Sequence, residues 1–65
     1  MWTVVYMTKK ENDIDIVLNK LSIKGIISRK RKNNDFIEIL VPDAELNLAH
    51  GIIIDLEIWL SERDY

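Results

Sequence analysis

The stretch "IISRKRKNNDFIEILVP", Ile26 to Pro42, sets four consecutive cations, Arg29, Lys30, Arg31 and Lys32, between two hydrophobic runs. Read as a hairpin, it organises the rest of the chain. Ile26 to Arg31 starts apolar and becomes increasingly polar, as a strand leaving a core does, and Asn33 and Asn34, both tolerant of positive φ, mark the turn. Phe36 to Val41 is the more apolar partner and belongs at the centre of a sheet. Pro42 ends it, since proline has no N–H to give to the ladder.

Working outward, Ile14, Val17, Leu18 and Leu21 recur at i, i+3, i+4 and i+7, the spacing of an amphipathic helix. Asn12 or Asp13 is placed to cap its start, and Gly25 to end it in the left-handed conformation. Lys20 and Lys24 complement its negative end. Before it, Trp2 to Met7 is rich in β-branched and aromatic residues; strict alternation puts Trp2, Val4 and Tyr6 on one face and Thr3, Val5 and Met7 on the other. After the hairpin, Asp43 is expected to cap a second helix with Glu45 in its first turn. Its stripe is Leu48, Ala49, Ile52, Ile53, Leu56, Trp59 and Leu60. Ser61 to Tyr65 reads as a frayed polar tail.

The order β-α-β-β-α predicts an α+β fold, a ferredoxin-like unit without its last strand. A right-handed crossover makes strands one and two parallel with a gap between them, and strand three fills the gap antiparallel to both. The sheet is thus three-stranded and antiparallel in order 1-3-2, with two helices on one face. Strand one is left with an open, apolar edge, an association risk unless something covers it. Apolar character on both strand faces predicts a homodimer pairing the open sheet face or the strand-one edge, with Trp2, Val4, Tyr6 and Trp59 as interface candidates.

Composition bounds the function. The 65 residues make one domain, with an ordered core over about residues 2–60, and 48% hydrophobic with 31% charged residues is a globular mixture. There is no cysteine, so disulfides, thiolate metal sites and cysteine nucleophiles are excluded. Uninterrupted runs of aliphatic residues, such as Ile52 to Ile54, are no longer than three, far short of the ~20 residues a membrane span needs. Nor does the start at Met1 to Met7 resemble a signal peptide. A cytoplasmic protein with no membrane association is the expectation.

Several segments carry a family resemblance: "WTVVY" at Trp2 to Tyr6, Leu21 with "KGI" at Lys24 to Ile26, "EILVPDAEL" at Glu38 to Leu46, and "AHGIII" at Ala49 to Ile54. Together they resemble a family of very short bacterial proteins related to signal-transducing proteins of ferredoxin-like fold, compared with the nitrogen-regulatory PII proteins. The resemblance spans roughly Trp2 to Leu56 and implies that fold and a regulatory role. The chain differs from that pattern in a short connection between strands two and three and in the added Glu57 to Tyr65. Some relatives carry an amino-acid decarboxylase label, but 65 residues are too few for a pyridoxal-phosphate fold.

Among candidate sites, the basic run Arg29, Lys30, Arg31 and Lys32 comes first. Alternation sends Arg29 and Arg31 to one face and Lys30 and Lys32 to the other, so the four do not form one stripe. Charge on an edge strand protects against edge-to-edge pairing. As a binding surface it suits an acidic protein partner or a small anionic ligand, with Arg29 and Arg31 as forked donors. Nucleic acid is disfavoured by a pI near 5.2 and by the expectation of no exposed aromatic beside the run. His50 is the only histidine and has no triad or zinc partners in the sequence. Asp13 and Asp15 fit a helix start, and Gly25 and Gly51 lack phosphate-loop spacing. The expectation is a non-enzymatic regulatory or interaction module without cofactor or metal. It would bind a small anionic ligand at a homodimer interface; alternatively it is a protein-binding adaptor using the basic hairpin, and more remotely a nucleic-acid binder.

Overall fold

The computed structural model describes residues 1–63. Three strands, β1 (Trp2–Thr8), β2 (Arg29–Asn33) and β3 (Phe36–Pro42), alternate with two helices, α1 (Glu11–Ile23) and α2 (Leu46–Arg63), the latter preceded by a 3₁₀ turn at Asp43–Glu45. The sheet order is β1-β3-β2 and both pairings are antiparallel. The fold is α+β and compatible with a ferredoxin-like unit. Asp64 and Tyr65, the end of the expected tail, lie outside the described residues, while Ser61 and Glu62 continue α2 rather than fray.

β3 organises the core because it is paired on both sides. Its inner face, Ile37, Ile39 and Val41, packs with Ile14, Val17 and Leu21 of α1 and with Ala49 and Ile53 of α2. The helical stripe of α1 therefore does what its spacing implies. The helix starts earlier than expected, at Glu11. Lys10 is its N-cap, without a side-chain cap bond, and the Lys10 N–H donates to Thr8 Oγ1 at 3.2 Å. Asn12 and Asp13 thus sit inside the first turn. The helix ends in a Schellman motif: the Gly25 N–H reaches Ser22 O at 3.0 Å and the Ile26 N–H reaches Leu21 O at 2.9 Å. Gly25 takes φ +79°, the left-handed conformation that glycine supplies cheaply.

That motif also moves the start of the second strand. Ile26 is drawn back into the core beside Leu21 at 5% exposure, whereas Ile27 is 70% exposed, so neither belongs to β2. The strand begins at Arg29 and is wholly polar and exposed. The turn is Asn34-Asp35, one residue later than expected, with Asn34 at φ 58°.

In β1 the strict alternation fails. Val4 pairs with Leu40 and Tyr6 with Ile39, leaving Val5 as the extra residue of a β-bulge. Residues paired across a sheet share a face, so Tyr6 turns to the helix side with Ile39 and Met7 crosses to the open side with Glu38, where Trp2 and Val4 remain. Both Val5 and Tyr6 pack against the core. Asp43 does not cap α2. Its N–H donates to Met1 O at 2.9 Å, and its carboxylate accepts the Thr3 hydroxyl proton, fastening the start of β1 to the end of β3.

α2 is less one-sided than expected. Ala49, Ile53 and Leu60 are buried, and Leu46, Ile52 and Leu56 pack against the core, but Leu48 is 65% and Trp59 50% exposed. At ~3.6 residues per turn, Leu48 and Trp59 fall about a quarter turn or more from the core strip, and Trp59 lines the space between α2 and α1 with Ile52.

Candidate functional site

Among the described residues no helix lies over the open face of the sheet, yet β3 is shielded there. Glu38 and Leu40 point to this face and are only 6% and 8% exposed. Their cover comes from side chains of the same sheet. Arg29 is paired with Leu40 and lays its guanidinium over the Trp2 ring, 4.2 Å from the centroid. Because β3 separates the strands carrying these two residues, the stack crosses β3. Beside it, Arg31 faces Glu38 and donates through Nε and Nη2 to Oε1, both at 2.8 Å, while Asn33 Nδ2 donates to Oε2 at 3.3 Å. The hydrogen bonds from Arg31 and then from Asn33, with the Arg31 charge behind them, hold the Glu38 carboxyl below its usual value against the opposing effect of burial. At the turn end, Lys9 Nζ lies 5.2 Å from the Phe36 ring centroid.

The four cations of the run thus have separate fates. Arg29 and Arg31 are on the open face; Lys30 and Lys32 are on the helix side, where Lys30 Nζ reaches Glu11 Oε1 at 3.7 Å. Arg31 is neutralised by Glu38. Among the described residues Arg29 has an aromatic ring rather than a carboxylate against it, and it is exposed. The expectation that no aromatic accompanies the run is overturned: Trp2 is stacked on its first member, and Phe36 is on the same face. The aromatic was hidden from sequence reading because it arrives from β1, across the sheet. Glu38 and Asn33 were also missed as partners of Arg31, and a turn placed at Asn34-Asp35 would have revealed Arg31 opposite Glu38.

Two other surfaces flank this face. Along the outer edge of β1, Val4 to Met7 and Glu57 of α2 line a shallow cleft. Tyr6 is pushed above its ordinary value, first by burial and then by the negative charges of Asp13 and Glu57, with a bond to Thr8 opposing. Across the helix layer, α1 and α2 enclose a larger open groove containing Ile16, Ile23, Ile52, Leu56 and Trp59, rimmed by Lys20, Lys24 and Asp55. The four interface candidates from the sequence are consequently dispersed: Trp2 and Val4 on the open sheet face, Tyr6 on its inner face, and Trp59 in the interhelical groove.

The acid-base inventory is thin. His50 is exposed on α2. Asp13 is 7% exposed and Asp15 is on the surface. Among the described residues no group of three or more His, Asp or Glu side chains could hold a metal ion. No helix of the described residues is long and apolar enough to cross a membrane. No protein-family model matches the chain, and no curated protein or solved structure matches it either.

Proposed function

We propose that this protein is a non-enzymatic interaction module of regulatory type, working as a homodimer, whose open sheet face docks an anionic partner. The observation that carries the reading is the Arg29-Trp2 stack. A guanidinium held over an indole has its N–H fork restrained, and a carboxylate or phosphate can meet that fork with two parallel bonds. Lost side-chain freedom is one of the costs of binding, and the stack lowers it by restraining Arg29 in the free protein. Arg31 and Asn33 extend the surface, with Glu38 holding them in register. The exposed polar strand supports protein docking, and the resemblance to short ferredoxin-like regulatory proteins points the same way. Cytoplasmic residence belongs to this reading.

The test is a titration of the isotopically labelled chain with a Glu-rich peptide and, separately, with citrate, followed through the Trp2 indole and Arg29 side-chain N–H signals. Both signals should move together, the response should weaken as salt is raised past ~0.15 M, where surface charges are largely screened beyond about 8 Å, and Arg29→Ala should remove it. Saturating ligand that leaves both signals in place refutes the reading. One observation favours a second reading, single-stranded nucleic acid: Trp2 and Phe36 are both on this face beside arginines, the elements of a stacking platform. An oligonucleotide that shifts Trp2 and Phe36 where the peptide does not would select it. The formal net charge of -2 weighs against that outcome.

A further inference from the structure

The groove on the outer side of the helix layer has an apolar floor, including Ile23, Ile52 and Trp59, and walls of opposite sign. Lys20 and Lys24 stand on the α1 side and Asp55 on the α2 side. Ile23 is 68% and Trp59 50% exposed, so the apolar lining is open to a partner's surface. An apolar centre bounded by charge is the anatomy of a specific interface. The charge pattern narrows the occupant. A uniformly acidic partner would meet Asp55, and a uniformly basic one would meet the two lysines. A second copy of this chain meets neither penalty, because a two-fold axis lying along the groove places α1 of each copy over α2 of the other. The topology makes this stacking antiparallel: α1 returns the chain between the parallel strands β1 and β2, and α2 folds back from the end of β3. Lys20 and Lys24 then face Asp55 of the second copy, twice over by symmetry.

We infer that the α1-α2 groove is the self-association surface, closing on the same groove of a second copy. The inference rests on the homodimeric part of the proposed function and names its surface. A standard interface removes about 800 Å² per partner, roughly a sixth of this chain's 4622 Å² of accessible surface. The competing surfaces suit a second copy less well. The open sheet face already covers Glu38 and Leu40 with its own side chains. The β1 edge carries a bulge that breaks its regular spacing, and two copies paired there would bring their Glu57 carboxylates toward each other.

The experiment is the solution mass by light scattering coupled to size exclusion, over a range of protein concentrations. The expected species is twice the 7.7 kDa chain. Trp59→Glu and Ile23→Glu each put a charge at the centre of the groove and should raise the dimer dissociation constant at least about tenfold. Met7→Glu, on the open face, should leave it unchanged. Lys24→Glu and Asp55→Lys should each weaken the dimer, and the two together should restore it toward wild type. That rescue keeps the test decisive should either apolar variant lose its circular dichroism. A monomeric wild type overturns both the groove assignment and the homodimeric reading. A dimer that ignores the groove variants but dissociates with Met7→Glu overturns the groove alone.

Discussion

Ile26 and Ile27 are adjacent, chemically identical and predicted by the fold to differ severalfold in what they contribute to stability. Replacing either by alanine removes three carbons, worth about 0.8 kcal/mol each when fully buried, or ~2.4 kcal/mol. Ile26 is 5% exposed and packs in the core cluster, so nearly all of that applies, and the unfilled space adds about 1 kcal/mol, giving ~3 kcal/mol in total. Ile27 is 70% exposed and leaves no cavity, so its loss should stay below about 0.7 kcal/mol. A domain of this size is expected to hold only ~3–10 kcal/mol, so Ile26→Ala brings it close to the edge of folding. Urea unfolding followed by far-ultraviolet circular dichroism measures the difference, at one protein concentration because self-association would raise apparent stability. With a slope near 1 kcal/mol per molar, the midpoint should fall by ~3 M for Ile26→Ala and by less than ~1 M for Ile27→Ala. Equal shifts, or a larger one at Ile27, would refute the Schellman-motif account of how the chain leaves α1.

The two glycines should respond to alanine with opposite sign. An added Cβ meets open space at both, so backbone conformation decides: Gly25→Ala should cost about 1–2 kcal/mol at φ +79°, whereas Gly51→Ala, inside α2, should gain about 0.5–1 kcal/mol, both read from thermal midpoints. The Glu38 network should appear in the pH dependence of stability. Its carboxyl is depressed in the folded chain, so it contributes stability above its unfolded value of about 4.3 and loses it as pH falls through the lower folded value. The stability gap between wild type and Glu38→Gln should therefore narrow in acid, and a gap that stays constant from neutral pH to about pH 3 would exclude the Arg31 and Asn33 bonds as its cause.

The fold was readable where periodicity alone decides. The i, i+3, i+4, i+7 series of α1, the apolar run of β3 and the glycine after α1 each have one physical solution, and together they dictate the strand order. What escaped were one-residue events. The bulge at Val5 has no residue signature, because valine fits a regular strand as well as a bulged one. The withdrawal of Ile26 into the core follows from the Schellman closure on Leu21, and an apolar residue before a polar run looks like a strand start either way. On α2, apolar residues on two adjacent strips merged into one apparent stripe, so Leu48 and Trp59 were assigned to the core. For the candidate site, the composition of the basic run was plain but its neighbours were not. Trp2 comes from the far side of the sheet and 27 positions earlier than Arg29.

The bulge decides which side chains of β1 reach each face. Without the extra residue, Tyr6 would share the open face with Trp2 and Val4, and Met7 would turn inward. With it, Tyr6 turns under the helices beside Val5 and the core, and Met7 takes its place on the open face, where Trp2 is held by Arg29 and Phe36 lies at the turn end beside Lys9. The cationic character of that face comes from β2, whose Arg29 and Arg31 lie across β3 from β1. The apolar surface proposed for self-association lies on the opposite side of the molecule, between α1 and α2. A chain of 65 residues with a single core can in this way hold a second copy on its helical side while its sheet side stays accessible, and a dimer formed through the groove would present two Arg29-Trp2 stacks facing outward. An anionic partner with two acidic segments could then engage both at once, gaining effective concentration from the dimer without any new contact in the site.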